Sequence, residues 1–513
     1  MLSIQSSFRV SRIASQCMMS TYTHDLAVIG GGSGGLAAAK AAARLGAKVV
    51  LFDHVAPSVT RGTTWGFAGT CVNVGCIPKK LFHYSSLLGE SIPDLAHLGF
   101  PEVHKAPHDW GKMVTTVTNF IRKLNFSYRT GARSAGVEYV NAHASFINPL
   151  TDEHALKYAL KEKEYEIRAK KVILAVGSRP AFPKMEGSEL AITSDDIFWQ
   201  KSAPGRTLVV GGGYIAMECA GFLTGLGYPT TVAVRSRPLR AFDDQIADKI
   251  VSIMNEKGTK FITCTPRKLE KNGSEIRVFF DNDKQEIFDT VLIATGRAPS
   301  TQEFPSQWKE KSGKLVADPK TCLVEKTDSI YAIGDCLSNS PELTPVAVRD
   351  GEMLAARLFG GSTKTFDKRF IPTTVFTPSE YGSVGLSEQQ ANDQFGGQVE
   401  CYLYEWPSLE RAALHREKVT RESPEDIEEG NNCFCKLVVH NDLVVGFHFL
   451  GPNAGEVTQG FALAVKLGAK KSDFDDLVGI HPTDAEAFCE LNITKSSGDS
   501  FVAAGGCGGG KCG

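Results

Sequence analysis

One arrangement of apolar and polar positions occurs twice along the chain. A short apolar run, a glycine-rich turn and a stretch of small residues appear at 25–35 (DLAVIGGGSGG, leading into LAAAKAAARLGAKVVLFD). They return at 207–218 (TLVVGGGYIAME, leading into CAGFLTGLGYPTTVAVR). Each reads as a buried strand, a tight turn and a helix, with a second apolar strand completing a parallel βαβ unit of the nucleotide-binding kind. Far downstream of each stands a short apolar strand ending in Gly-Xaa-Arg: VILAVGSRP at 172–180, containing Gly177, and VLIATGRAP at 291–299, containing Arg297. This spacing predicts an α/β chain with two Rossmann-like dinucleotide-binding domains, one inserted in the other. The first occupies 25–183 and resumes over 301–371, and the second occupies 184–300.

From residue 372 the pattern changes to strands and turns (TTVFTPSEYGSVGLS, CFCKLVVHNDLVVGFHFLGP) followed by the helix EVTQGFALAVKLG. An α+β domain over 372–494 is expected, with 411–432 a solvated loop. The chain closes with AAGGCGGGKCG, six glycines in eleven residues. Such backbone carries high conformational entropy, so 495–513 is expected to be a mobile tail.

Composition narrows the class. With 513 residues, 42% of them hydrophobic, the chain is too long for one core, and a net charge of −2 points to neither nucleic acid nor an anionic membrane surface. No apolar run reaches the ~18 residues of a membrane span. Thirteen cysteines, an odd number spread over a long chain, suit a reducing compartment better than a secreted disulfide scaffold. Residues 1–24 carry Arg9, Arg12, several serines and no acid. That is the composition of a mitochondrial transit peptide or of a disordered end. Met18 and Met19 offer a second start, so cytoplasm and mitochondrion both stay open.

Three segments carry chemistry. Gly30, Gly32 and Gly35, with Ser33 and Gly34 between them, form G-x-G-x-x-G between strand and helix, where bare backbone can approach a pyrophosphate. Asp53 ends the next strand, placed to accept a ribose hydroxyl, which favours a nucleotide over a mere tight turn. In the second unit Gly211, Gly213 and Ala216 form G-x-G-x-x-A. Arg235 replaces the acid at the strand end, with Arg240 close behind, and an arginine there pairs with a 2′-phosphate where an acid would repel it. NADPH is therefore expected over NADH, although either arginine alone could be a solvated surface charge. The third segment is GTCVNVGCIPKK at 69–80. Cys71 and Cys76 are close enough in sequence for an irregular helical turn to bring them into disulfide range. A bare C-x4-C is equally well two neighbouring buried thiols.

The whole dodecamer resembles the redox-active site of the pyridine nucleotide-disulfide oxidoreductases, and the resemblance covers nearly the whole chain, including YAIGDC at 331–336 and HPTDAE at 481–486. It implies FAD in the first domain, NADPH in the second and a dimerisation role for the third. It further implies that Cys76 lies against the flavin as a thiolate while Cys71 is the interchange thiol. Lys79 would sit near the flavin and pair with Glu218, Tyr214 would gate the nicotinamide face, and Asp335 would bind the ribityl chain. Thr70, His143, Ala144, Leu343 and Thr344 fall at positions resembling flavin contacts, and no metal site is implied. Thiol exchange needs a base and an acid near neutral pH, which His481 oriented by Glu486 could supply. In the family this histidine, held by a cis His481–Pro482 bond, enters the partner subunit's site, so a homodimer with shared active sites is expected.

Within the family, the tail pair Cys507 and Cys512, Trp65 before the dithiol, and Glu352 where glutathione reductases carry arginine resemble the large thioredoxin reductases. Lys40 keeps the other cation. The activity implied is NADPH-dependent reduction of thioredoxin through FAD, Cys71/Cys76 and the tail pair of a partner chain. Glutathione-disulfide reduction remains an alternative, as does, more remotely, a non-catalytic FAD-binding interaction protein. Mercuric ion reductase fits poorly, because its tail cysteines are adjacent. Cys433 and Cys435, at i and i+2 of an expected strand, point to opposite faces and cannot easily bridge. They are expected to be structural, as are Cys219, Cys264, Cys322, Cys336, Cys401 and Cys489.

Overall fold

The computed structural model describes residues 22–101, 107–150, 154–414 and 431–503. The first unit is built on a sheet whose strands run in the order Glu138–Val140, Val49–Phe52, His24–Ile29, Lys163–Leu174, Ala155–Leu160, Ala144–Phe146. Strand Ile330–Ala332 pairs in parallel with the end of Lys163–Leu174, so the chain rejoins this sheet after a long excursion. His24–Ile29 and Val49–Phe52 are apolar and buried nearly throughout, as parallel strands covered on both faces must be. Helix Ser33–Arg44 crosses helix Thr344–Phe359 at backbone contact. A Cβ on Gly351 would lie 2.5 Å from the Gly34 carbonyl oxygen, and one on Gly34 would lie 2.9 Å from that of Ala347.

The excursion is the second unit. Its parallel sheet has the order Lys260–Thr263, Thr230–Val234, Thr207–Val210, Thr290–Ile293, Ile192–Thr193. A three-stranded antiparallel sheet, Pro266–Asn272, Glu275–Phe280 and Gln285–Phe288, covers one side. The two chain crossings between the units run side by side, with Ser178–Pro180 paired antiparallel to Arg297–Pro299. This is the nested arrangement that the two Gly-Xaa-Arg segments predict.

The third unit is a five-stranded antiparallel sheet in the order Thr373–Val375, Glu380–Gly385, Leu443–Gly451, Cys433–His440, Glu400–Trp406, packed against helix Ala454–Leu467. Residues 495–503, expected from their sequence to belong to a mobile tail, are instead tied to the edge strand Glu400–Trp406. Glu405 N–H donates to the Phe501 carbonyl at 2.9 Å, Ala503 N–H donates to Glu405 at 2.8 Å, and Lys495 pairs with Glu388. The exposed edge of the sheet supplies unpaired backbone groups that a following segment can satisfy, which outweighs the composition of the segment. No described helix is long and apolar enough to cross a membrane.

Candidate active site

The first cradle is the turn out of strand His24–Ile29. Gly30 has φ +106°, and a Cβ on it would lie 2.2 Å from the Ala175 carbonyl oxygen; one on Gly35 would lie 1.9 Å from that of Gly30. No side chain fits at either position. Above Gly32 the nearest atom to such a Cβ is 3.9 Å away, so the start of helix Ser33–Arg44 has room for an anionic group at its free N–H groups. Asp53 is buried and accepts the Gly31 N–H at 3.0 Å, and burial raises its carboxyl to about 6. Asp335 is also pushed upward by burial. It accepts from the Ser178 hydroxyl at 3.2 Å, which in turn accepts from Arg297 Nε at 2.8 Å. Arg297 also donates to the Ser178 carbonyl at 2.6 Å, so it staples the crossing between the units. Gly177, in the left-handed region at φ +66°, turns the chain beside this network. His143 pairs with Glu303 at 3.2 Å on the exposed surface, and Ala144 is buried at the start of its strand.

The dithiol stands directly over the cradle. Gly69, at φ +73°, opens helix Gly69–Val74, and a Cβ there would lie 2.6 Å from the Gly32 Cα. The helix runs through Thr70 and Cys71, breaks at Gly75 and restarts as Cys76–Glu90. Asn73 braces the loop by donating to the Gly69 carbonyl at 2.8 Å, and Asn125 donates to Asn73 at 2.9 Å. Both thiols are free. The Cys71 S–H, Lys79 and Thr344 hold the Cys76 thiol below its ordinary range against burial, and the same contact pushes Cys71 up. Thr344, the first residue of its helix after Leu343, has its hydroxyl 3.9 Å from the Cys76 sulfur. Trp65 lies nearby with the Arg179 guanidinium 4.8 Å from its ring centre.

The second cradle repeats the first. Gly211 has φ +133°, with a Cβ 2.3 Å from the Ala294 carbonyl oxygen, while nothing lies within 4 Å of one on Gly213. Ala216 is fully buried on helix Tyr214–Gly225, and the half-exposed Tyr214 begins that helix. Glu218, one turn on, faces the dithiol helix and takes Lys79 Nζ at 2.7 Å. Arg235 and Arg240 are exposed, and neither has an ion pair among the described residues. Arg237, between them, is committed to Asp244 at 2.6 Å and Asp248 at 2.7 Å.

His481 and Glu486 meet at the outer surface of the third unit, with His481 Nδ1 3.1 Å from the carboxylate and the histidine 59% exposed. His481–Pro482 is the one cis peptide among the described residues, as the family resemblance implies. Leu477, Val478 and Ile480 beside it, with Leu463 and Leu467, leave an exposed apolar face. Cys507 and Cys512 lie outside the described residues, whereas Glu352 stands on the exposed face of its helix, 3.7 Å from Arg349.

Several contributors have no signal in any local pattern. Phe376 has both Lys79 and Lys80 over its ring, at 3.9 and 4.1 Å, and its N–H donates to Glu218. Glu380 takes Lys80 at 2.8 Å and His83 at 3.2 Å, and Asp484 takes Trp406 at 3.1 Å. Each is a contact between residues far apart in sequence.

The arrangement is two dinucleotide cradles with a polarised thiol pair between them. Residues 24–351 match the family model described as pyridine nucleotide-disulphide oxidoreductase, and 371–492 match the model of its dimerisation domain. A thioredoxin reductase of Plasmodium falciparum (isolate FCH-5) is 48% identical over 511 residues, covering 96% of this chain and 93% of that protein. The protein of the same name from isolate 3D7 is also 48% identical, with 82% of its length covered. Thioredoxin reductase SEP1 of Emiliania huxleyi is 45% identical over 506 residues, covering 94% of this chain and 98% of that protein. Cradles, thiols and dimerisation module stand in one order along one chain, which belongs to the pyridine nucleotide-disulphide oxidoreductase family.

Proposed function

We propose that this chain is a homodimeric flavoenzyme that uses NADPH to reduce the disulfide of thioredoxin. The observation that carries the proposal is the polarised dithiol between two glycine cradles, with Cys76 depressed by Cys71 and Lys79. FAD suits the first cradle, because Gly30 and Gly35 leave no room for a side chain, Gly32 is open, and the buried Asp53 and half-buried Asp335 are acids on that side of the site. NADPH suits the second, where Gly213 is open and Arg235 and Arg240 are uncommitted. When bound, the flavin supplies passage of an electron pair from the nicotinamide to the Cys71–Cys76 disulfide.

The chain's own residues do the rest. Tyr214 covers the approach to the second cradle, and Glu218 holds Lys79 beside Cys76. Cys71 attacks a tail disulfide between Cys507 and Cys512, breaking the S–S bond and forming a mixed disulfide. Cys76 then attacks the Cys71 sulfur, closing Cys71–Cys76 and releasing a tail dithiol, so two electrons leave one pair for the other. His481 of the partner subunit, oriented by Glu486, takes the Cys71 proton and returns it to the departing tail sulfur. The exposed apolar face beside His481 supports a dimer in which each subunit completes the other's site. The nine residues that follow Ala503, through Cys512, could span about 30 Å, enough to carry the dithiol outward to a protein substrate. Lys511 favours the Cys512 thiolate. The arginine-bearing N-terminus supports a mitochondrial location, and a start at Met18 or Met19 a cytoplasmic one.

Removing residues 507–513 separates the readings. NADPH-driven flavin reduction is expected to persist while thioredoxin reduction is lost. Full thioredoxin turnover by the truncated enzyme would end the tail mechanism, and faster turnover of oxidised glutathione than of thioredoxin by the intact enzyme would favour a glutathione reductase.

A further inference from the structure

Glu486 is carried by a six-residue 3-10 helix, Asp484–Cys489. A helix this short has little stability of its own, so tertiary contacts must set the position of its side chains. Three contacts do so. Phe488 is fully buried and stacks on Phe447 with ring centres 4.2 Å apart. Gly479 backs directly onto Glu486, where a Cβ would lie 2.6 Å from the Glu486 Cβ. The third is Asp484, whose Oδ1 accepts the Trp406 indole N–H at 3.1 Å and the Cys433 S–H at 3.7 Å. Trp406 and Cys433 are directly opposed on neighbouring strands and both are buried. The Asp484 carboxylate therefore fastens the helix to a cross-strand pair at the end of the sheet.

An uncharged group could have served for packing alone. The charged and titratable groups facing Asp484 are Glu410 from helix Leu409–Ala413, Glu486 from its own helix, and the Cys433 thiol. No ion pair to a cation joins Asp484 among the described residues. A half-buried carboxylate beside two others is unfavourable in itself. Its place here is explained by the bond it accepts from Trp406, which sets the helix that carries Glu486.

We infer that Asp484 is a positioning residue for the His481–Glu486 dyad, fixing the Glu486 helix through Trp406. This rests on the proposed role of the dyad in thiol exchange. Three variants of the full-length holoenzyme test it. Asp484→Ala and Trp406→Phe, which remove the acceptor and the donor of the same bond, should each lower thioredoxin turnover on the order of tenfold to a hundredfold. Flavin reduction by NADPH, which does not use the dyad, should be unchanged. Asp484→Asn keeps an acceptor oxygen for Trp406 and should recover most of the turnover. Equal turnover in wild type, Asp484→Ala and Trp406→Phe, a parallel fall in flavin reduction, or an Asp484→Asn turnover as low as that of Asp484→Ala would each overturn the inference. If wild type itself failed to reduce thioredoxin, the proposed function would fall first.

Discussion

Lys79 Nζ lies 2.7 Å from Glu218 Oε1, joining residues 139 positions apart. Lys79 stands on the helix that begins with Cys76, and Glu218 on the helix that leaves the second cradle. The same Glu218 oxygen accepts the N–H of Phe376, from the segment that enters the third unit, at 2.9 Å. One carboxylate thus holds all three units around the thiols. A pair so little exposed, 14% and 4%, is weak evidence for stability, but removing one partner strands the other charge.

Lys79→Met should accordingly destabilise the fold by about 3 kcal/mol through the unpaired Glu218. It should also raise the pH at which reduced Cys76 becomes a thiolate, by about one unit, since the Lys79 charge helps hold that thiol down. The pH dependence of alkylation by iodoacetamide reads the second effect directly. An unchanged midpoint would mean that Cys71 and Thr344 depress Cys76 without help from Lys79.

Glu380 offers a test by acid. Against the upward push of burial, hydrogen bonds from His83 and Lys80 hold its carboxyl down to about 2, from an ordinary 4.5. A carboxyl depressed in the folded state stabilises above its unfolded value, and that stabilisation disappears as pH falls through the folded value. The span corresponds to about 3 kcal/mol. Glu380→Gln should therefore be less stable to urea than wild type at about pH 6, and the gap should close as pH drops from about 4.5 toward 2. A gap that does not depend on pH would assign Glu380 a packing role only.

Arg235 and Arg240 can each make a charge-assisted bond to a 2′-phosphate, and Arg237, paired with Asp244 and Asp248, is already engaged. Changing Arg235 and Arg240 together to alanine should reduce the preference for NADPH over NADH by about ten- to a hundredfold, expressed in the KM for NADPH. Arg237→Ala should instead weaken stability and leave the preference in place. The reverse result would transfer the 2′-phosphate site to Arg237.

The cradles were legible because their requirements are local. A strand, a turn with φ beyond reach of a side chain and a helix N-terminus occupy a dozen residues, so Gly30, Gly35 and Gly211 are recognisable without knowing what lies beside them. The nested topology was legible for a related reason, since each returning strand carries its own apolar run and glycine. Cys71 and Cys76 were visible as a pair and the family resemblance implied their unequal roles, but the physical cause of the inequality was not visible. It depends on Lys79, Thr344 and burial, which only the folded site brings together.

Contacts across the chain decided the rest. Composition makes residues 495–503 part of a glycine-rich tail, yet the open edge of Glu400–Trp406 captures them, because unpaired backbone groups on an edge strand outweigh a weak local preference. Arg235, Arg237 and Arg240 look alike in sequence, and only the position of helix Asp244–Glu256 shows which one is already paired. Glu380 carries no motif, and Asp484 stands in HPTDAE without a signal of its own, since the partners that give them a role, His83 and Trp406, are 297 and 78 residues away. The sequence by itself determined where phosphate can approach backbone and which thiols stand together, because steric rules act over a few residues. Which charges face those thiols, and that residues 495–503 pair with the sheet edge, were decided by tertiary structure, because electrostatics and edge pairing act between neighbours in space.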